Sequence, residues 1–133
     1  MASLLVASGD ARLSRVTRVA ERGYDHGTWV PLSLVYPEAD VPVVQLSIDP
    51  DQGPDYHHAL GAALAPLRSR GVLLMASGQI THNLRAIFTF GRDEARDAET
   101  RTHVETFMAW FEAQLEARDT QKLLNYRAEA PYA

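Results

Sequence analysis

The chain of 133 residues contains no cysteine. This absence excludes disulfides, thiolate zinc sites, iron–sulfur clusters and cysteine nucleophiles. No apolar run reaches the roughly 20 residues that a membrane span requires. Basic residues number 13 against 17 acidic ones, too few to predict a nucleic-acid or anionic-membrane surface. The first residues lack the basic and apolar regions of a secretory signal, so we expect a cytoplasmic protein without nucleic-acid or membrane partners.

The remaining composition is that of a globular protein. Apolar residues make up 46% and charged residues 23% of the chain, close to the averages for folded domains. The length suits one domain over residues 1–133. Acid–base and metal chemistry depends mainly on five histidines, which are His26, His57, His58, His82 and His103.

Two apolar runs with an amphipathic segment between them determine the predicted fold. Residues 41–48 and 72–76 are apolar at nearly every position, a pattern typical of strands buried on both faces. Between them a helix is predicted from Pro54, with Pro66 tightening its last turn and Gly71 ending it. The apolar stripe of this helix consists of Tyr56, Leu60, Ala63, Leu64 and Leu67. The order strand, helix, strand predicts a βαβ unit, and therefore an α/β fold with a central, largely parallel sheet and flanking helices.

A second helix is predicted in the C-terminal third of the chain. Thr102 and Glu105 have the spacing of a capping box, so the helix is expected to begin there, after a charged surface loop over residues 91–100. Its apolar face is expected to pack against the sheet. That face consists of Val104, Phe107, Met108, Phe111 and Leu115.

His82 is the histidine best placed for chemistry in the predicted fold. It follows the second predicted strand, and ligands of open α/β sheets bind outside the carboxyl ends of the strands. Asn83 and Arg85 lie beside it and have the chemistry to orient an anion or a hydroxyl group. The alternative is structural, because a histidine at such a position also caps short helices or hydrogen-bonds a loop carbonyl.

The other histidines give weaker signals. His26 follows Asp25 in a polar turn, and the pair fits either a catalytic base or a turn histidine stabilised by its neighbour. His57 and His58 are adjacent on a predicted helix, so their side chains point about 100° apart and do not easily bind one metal. His103 is expected to be solvated. The residues by themselves predict a site formed by loop histidines and name no reaction.

Three motifs follow one another along most of the chain. Residues 25–32 read Asp-His-Gly-Thr-Trp-Val-Pro-Leu. Tyr36-Pro and residues 40–48, Asp-Val-Pro-Val-Val-Gln-Leu-Ser-Ile, form the second, and residues 77–85, Ser-Gly-x-x-x-His-Asn-Leu-Arg, form the third. This order resembles the class III extradiol ring-cleaving dioxygenases, in the DOPA-4,5-dioxygenase-like branch related to the LigB subunit of protocatechuate 4,5-dioxygenase. The resemblance covers about residues 22–127.

The resemblance implies an oxidoreductase that opens a catechol ring beside one hydroxyl group, with O₂ and non-haem Fe(II). His82 matches the family's general acid/base beside the metal, and it is also a candidate metal ligand. His26 matches a second active-site histidine, which contacts the substrate or the oxygen. The accompanying candidates for substrate binding are Asp25, Thr28, Asn83 and Arg85.

The resemblance also implies metal ligands that this sequence does not match. In the family, two metal-binding histidines precede the Asp-His-Gly motif and another ligand follows the position of Tyr126, and such a site needs three protein ligands. We therefore expect an incomplete family domain with weak affinity for iron, or for zinc as an alternative occupant, and self-association into a homo-oligomer. The alternatives are a catalytically inactive remnant that oligomerises or binds a small molecule, and a metal-free hydrolase with His82 as its base.

Overall fold

The computed structural model describes residue 13, residues 17–82, residue 88 and residues 91–133. The chain divides into two units, unit one over Met1–Gly78 and unit two over Gln79–Ala133. The elements in chain order are α1 (His26–Val35), α2 (Pro54–Leu64), a 3₁₀ helix (Ala65–Arg70), α3 (Glu94–Ala117), α4 (Thr120–Leu124) and α5 (Tyr126–Glu129). Within these described ranges, no helix combines the length and the apolar character that crossing a membrane requires.

The predicted α/β fold with a central parallel sheet is wrong, because the described residues contain no β-strand. Residues 41–48 and 72–76 lie outside the helices. Several of their apolar side chains are exposed, with 74% of Val44, 76% of Ile48 and 65% of Leu73 accessible. Apolar and β-branched residues favour extended backbone, but a strand forms only where a neighbouring strand supplies the ladder hydrogen bonds. Neither run has such a neighbour among the described residues, so no βαβ unit forms there.

The helix predicted between these runs is confirmed. α2 begins at Pro54 and continues from Ala65 into the 3₁₀ helix, which contains Pro66. Proline lacks the N–H of a regular helical turn and its ring crowds the preceding turn, so the tighter winding at this point has a local cause. Gly71 ends the segment in the left-handed conformation, with φ +75. Glycine adopts this conformation without the steric penalty of a Cβ atom.

The predicted apolar stripe of this helical segment forms the core of unit one. Leu64 and Leu67 are buried together with Leu13, and partly buried side chains pack against them. Those side chains are Tyr56, Ala59, Leu60 and Ala63. The stripe is therefore the buried face of the helix, but it packs on Leu13 where a sheet was expected.

Unit two is built on α3, which begins earlier than predicted. Asp93 caps the helix, and its carboxylate accepts a backbone N–H of the first turn at 3.2 Å. The expected loop over residues 91–100 is therefore helical from Glu94 onward. The Thr102 hydroxyl does not cap a helix start, because it donates to the Ala98 carbonyl one turn back at 3.0 Å. A threonine hydroxyl makes this bond inside helices and also caps helix starts, so the capping-box pattern was ambiguous.

The apolar face of α3 meets aromatic residues of the C-terminal segment and not a sheet. The ring centroid of Phe107 lies 6.4 Å from that of Tyr126 in an edge-on arrangement, and 6.4 Å from that of Phe111 on its own helix. His103 stacks on Tyr132 with ring centroids 3.9 Å apart. His103 is consequently half-buried, and its expected solvation is only partial. These ring contacts hold the end of the chain against α3.

Candidate functional site

The first sequence motif begins with a capped turn at the start of α1. Asp25 precedes the helix with extended backbone, and its Oδ1 accepts the Thr28 N–H at 3.0 Å. The Asp25 carbonyl accepts the Trp29 N–H at 2.9 Å. Aspartate is among the best N-cap residues because its carboxylate satisfies a first-turn amide. This helix was not predicted from the sequence, where His26 was assigned to a polar turn, and α1 contains Pro31, a residue that disfavours helix interiors.

Gln45 connects this turn to the non-helical run over residues 41–48. Its Oε1 accepts a hydrogen bond from the Thr28 hydroxyl at 2.8 Å and another from the Asp25 backbone N–H at 3.1 Å. Beside them, the Tyr24 hydroxyl donates to the Val43 carbonyl at 2.9 Å. These bonds join residues 17 to 20 positions apart in the sequence. The first and second motifs are therefore held together by side chains.

The beginning of the third motif lies next to the same turn. A Cβ atom at Gly27 would lie 4.0 Å from the Ser77 carbonyl oxygen and 3.5 Å from the Asp25 Oδ1. Both are ordinary van der Waals distances, so the backbone at Ser77 passes alongside Gly27. Unit one thus brings parts of all three motifs to one place.

His26 lies between the two residues that Gln45 binds, and its side chain is exposed. Its ring centroid lies 5.5 Å from that of Trp29, at an interplanar angle of 49°, and Trp29 is exposed as well. The Asp25 Oδ1 bonds the Thr28 amide, which makes Asp25 a helix cap in this structure. An accessible imidazole beside an accessible indole can exchange protons with an aromatic ligand and contact its face.

His82, the other predicted catalytic histidine, belongs to unit two and is also exposed. Asn83 and Arg85, the neighbours predicted to bind substrate, lie outside the described residues. The structure therefore brings together Asp25 and Thr28 and places His26 between them in the chain. The roles of His82, Asn83 and Arg85 stay predictions.

The described residues do not fit the three-ligand metal site that the family resemblance implies. In the ranges with known placement, no three His, Asp or Glu side chains are grouped so that they could hold a metal ion. His57 is engaged with the backbone instead, because its Nε2 accepts the Asp49 N–H at 3.3 Å and its Nδ1 lies 2.9 Å from the Gly53 carbonyl oxygen. We assign no reaction step to a metal held by these residues.

Gln45 was not among the residues predicted from the sequence. It lies between Val44 and Leu46 in a run that was interpreted as a buried strand. A glutamine in an otherwise apolar run is itself a signal, because a polar side chain taken out of water needs a hydrogen-bond partner. Its partners, Asp25 and Thr28, are too distant in the sequence to be identified without the structure.

Known proteins are similar to about half of this chain or to nearly all of it. It matches the family described as the catalytic LigB subunit of aromatic ring-opening dioxygenase over residues 5–133. A 4,5-DOPA dioxygenase extradiol of Beta vulgaris is 38% identical over 128 residues, which are 96% of this chain and 44% of that relative. The 4,5-DOPA dioxygenase extradiol of Escherichia coli (strain K12) is 49% identical over 65 residues, covering 49% of this chain and 24% of the relative.

A further relative is also a dioxygenase by its name. Dioxygenase tasH of Hapsidospora irregularis is 46% identical over 67 residues, which are 50% of this chain and 21% of that protein. The chain spans less than half the length of these curated relatives. No solved structure is significantly similar to it. The family match extends over nearly every residue and includes all three sequence motifs. The chain therefore belongs to the family of the catalytic LigB subunit of aromatic ring-opening dioxygenase.

Proposed function

We propose that this chain acts in extradiol cleavage of a catechol-type aromatic ring by O₂. In that reaction one ring carbon–carbon bond breaks and both oxygen atoms enter the product. The observation that carries the proposal is the network in which Gln45 holds Asp25 and Thr28 on either side of the exposed His26. The family match and the relatives named 4,5-DOPA dioxygenase extradiol support this class of substrate.

The network provides groups suited to a catechol. The Thr28 hydroxyl donates its hydrogen to Gln45, so its oxygen still has lone pairs that accept a catechol O–H. The His26 imidazole accepts a proton from a catechol hydroxyl, and the Trp29 ring contacts the aromatic face. We propose His82 as the second acid/base group, with its neighbours Asn83 and Arg85 and the cap residue Asp25 as further substrate contacts.

Fe(II) is the proposed cofactor of the family domain, with zinc as an alternative occupant. Weak binding of this metal by the chain is part of the proposal, because the family resemblance implies ligands that the sequence does not match. We accordingly assign to the chain's own residues only substrate binding and proton transfer. A cytoplasmic location also stays a prediction.

Catechol binding and ring opening test the proposal together. The chain is titrated with L-DOPA under anaerobic conditions, then supplied with Fe(II) and O₂ while the yellow ring-opened product is followed by absorbance. We expect saturable binding that weakens about fivefold in Thr28→Val, since one half-buried hydrogen bond is worth about 1 kcal/mol. Product formation is expected to fall at least about 100-fold in His26→Ala and His82→Ala.

The matched control is His58→Ala. His58 is exposed near the start of α2 and has no part in the proposed site, so this variant should bind and turn over L-DOPA like the wild type. Absence of both binding and product in the wild-type chain would contradict the proposed function. Equal losses in His58→Ala and His26→Ala would contradict the assignment of His26.

Exposed apolar side chains favour a second candidate function, an inactive remnant that serves as an oligomerising module. Leu73 is 65% exposed and lies in an apolar run. Surfaces of this kind often mark contacts between chains. Light scattering over a range of protein concentrations should then show a homo-oligomer that dissociates in Leu73→Ser. Val19→Ser is the control, because Val19 is equally exposed, at 65%, and lies outside both apolar runs. A monomer at every concentration would exclude this candidate.

A further inference from the structure

One oxygen atom of Gln45 contacts the chain on both sides of His26. Gln45 Oε1 accepts the backbone N–H of Asp25, immediately before His26, at 3.1 Å. The same oxygen accepts the hydroxyl of Thr28, two positions after His26, at 2.8 Å. Gln45 and Thr28 are both half-buried, which lowers the competition from water for these bonds.

The helix cap and the Gln45 contacts are formed by different hydrogen bonds. The Asp25 carboxylate caps α1 by accepting the Thr28 N–H, and this bond does not involve Gln45. Loss of the Gln45 oxygen would therefore leave the start of α1 formed, but the turn would keep only the bond from the neighbouring Tyr24 hydroxyl to the Val43 carbonyl as a tie to residues 41–48. Proton transfer needs its groups placed within a fraction of an ångström, and a misplacement of 1 Å can cost about 100-fold in rate.

We infer that Gln45 is a positioning residue, which fixes where the turn carrying His26 lies within unit one. The inference rests on the proposed function for the role of His26 in proton transfer. Gln45 itself touches no reacting atom. Its Oε1 atom accepts hydrogen bonds from the Asp25 amide and the Thr28 hydroxyl and so holds both groups in place.

The test compares Gln45→Leu, which keeps the size of the side chain but removes the acceptor, with Gln45→Glu, which keeps an Oε1 acceptor. Gln52→Leu is the control, because Gln52 is exposed in a loop of the same unit. Amide hydrogen exchange and the NMR signals of the His26 ring are recorded for each full chain, together with kcat/KM for L-DOPA.

In Gln45→Leu we expect about tenfold faster exchange of the Asp25 amide and shifted His26 ring signals. The Thr28 amide should keep its wild-type exchange rate, because the Asp25 cap remains. The kcat/KM should fall about tenfold or more, mainly in kcat, and Gln45→Glu should restore most of the loss. Gln52→Leu should match the wild type in every measurement.

Three results would overturn the inference. The first is an unchanged exchange rate of the Asp25 amide in Gln45→Leu. The second is a kcat/KM of Gln45→Glu no higher than that of Gln45→Leu. The third is equally faster exchange throughout the chain of Gln45→Leu, which would indicate a general loss of stability. If Gln45→Leu does not fold, Thr28→Val, which removes the hydroxyl bond to Gln45, is compared with Thr28→Ser, which keeps it, and the His26 ring signals should shift only in Thr28→Val. A wild type that neither binds L-DOPA nor forms product contradicts the proposed function alone, since the exchange measurement judges Gln45 independently.

Discussion

Single side chains that contact distant backbone are the smallest units of organisation in this protein. His57 is an example in unit one. One neutral tautomer satisfies both of its ring contacts, with Nδ1–H donating to the Gly53 carbonyl and Nε2 accepting the Asp49 N–H. The imidazole thereby fastens the turn before α2 to the helix. From the sequence, His57 was interpreted only as a helix residue that does not easily share a metal with His58, because its contacts to the preceding turn are visible only in the structure.

We predict that His57→Ala lowers the free energy of unfolding by about 1–2 kcal/mol, because two hydrogen bonds of about 1 kcal/mol each are lost. His58→Ala provides the control at the adjacent, exposed position and should change stability by less than about 0.5 kcal/mol. Urea denaturation of the two variants measures the difference. Equal stabilities would mean that the His57 contacts contribute nothing to the fold.

At the scale of elements, the ends of helices depend on individual residues whose chemistry is readable in the sequence. Gly71 ends the 3₁₀ helix with φ +75, as its position after a helical pattern predicted. The start of α3 shows the opposite case. The capping-box pattern predicted a start at Thr102, but Asp93 caps the helix in the structure. Both chemistries are favourable, so the choice depends on what the rest of the helix packs against.

Two Gly→Ala substitutions in the same helical segment should act in opposite directions. At Gly71 the left-handed backbone makes a Cβ atom unfavourable, and Gly71→Ala should cost about 1 kcal/mol. Gly61 lies inside α2, and a Cβ atom there would meet nothing within 4 Å. Gly61→Ala should therefore stabilise unit one by about 0.5–1 kcal/mol through helix propensity. Thermal or urea unfolding that shows the same sign for both variants would contradict this account of the helix end.

At the scale of the whole molecule, the described core is small. In unit one, the buried apolar side chains among the described residues are Leu13, Leu64 and Leu67. The apolar runs over residues 41–48 and 72–76 contribute exposed side chains to the same unit. Stability must then depend strongly on each buried leucine, since burial of apolar surface is the main favourable term in folding.

Leu67→Ala should accordingly lower the free energy of unfolding by about 2–3 kcal/mol, from lost burial and the cavity left behind. Leu73→Ala makes the same chemical change six positions away, at a side chain that is 65% exposed, and should cost less than about 0.5 kcal/mol. Denaturant midpoints compare the pair. A similar loss in both variants would show that Leu73 is buried in solution, as an interface between chains would require.

The sequence by itself determined the family, the extent of α2 with its buried stripe, and the glycine at which the following turn ends. These features depend on periodicity and on residues close together along the chain. The tertiary structure decided that residues 41–48 and 72–76 are not strands in the described part, that Gln45 holds Asp25 and Thr28, and that His103 stacks on an aromatic ring. Each of these depends on a partner far away in the sequence. The local sequence indicates which secondary structure a segment prefers. Hydrogen bonds and ring contacts to distant residues form only when the fold brings those residues within reach.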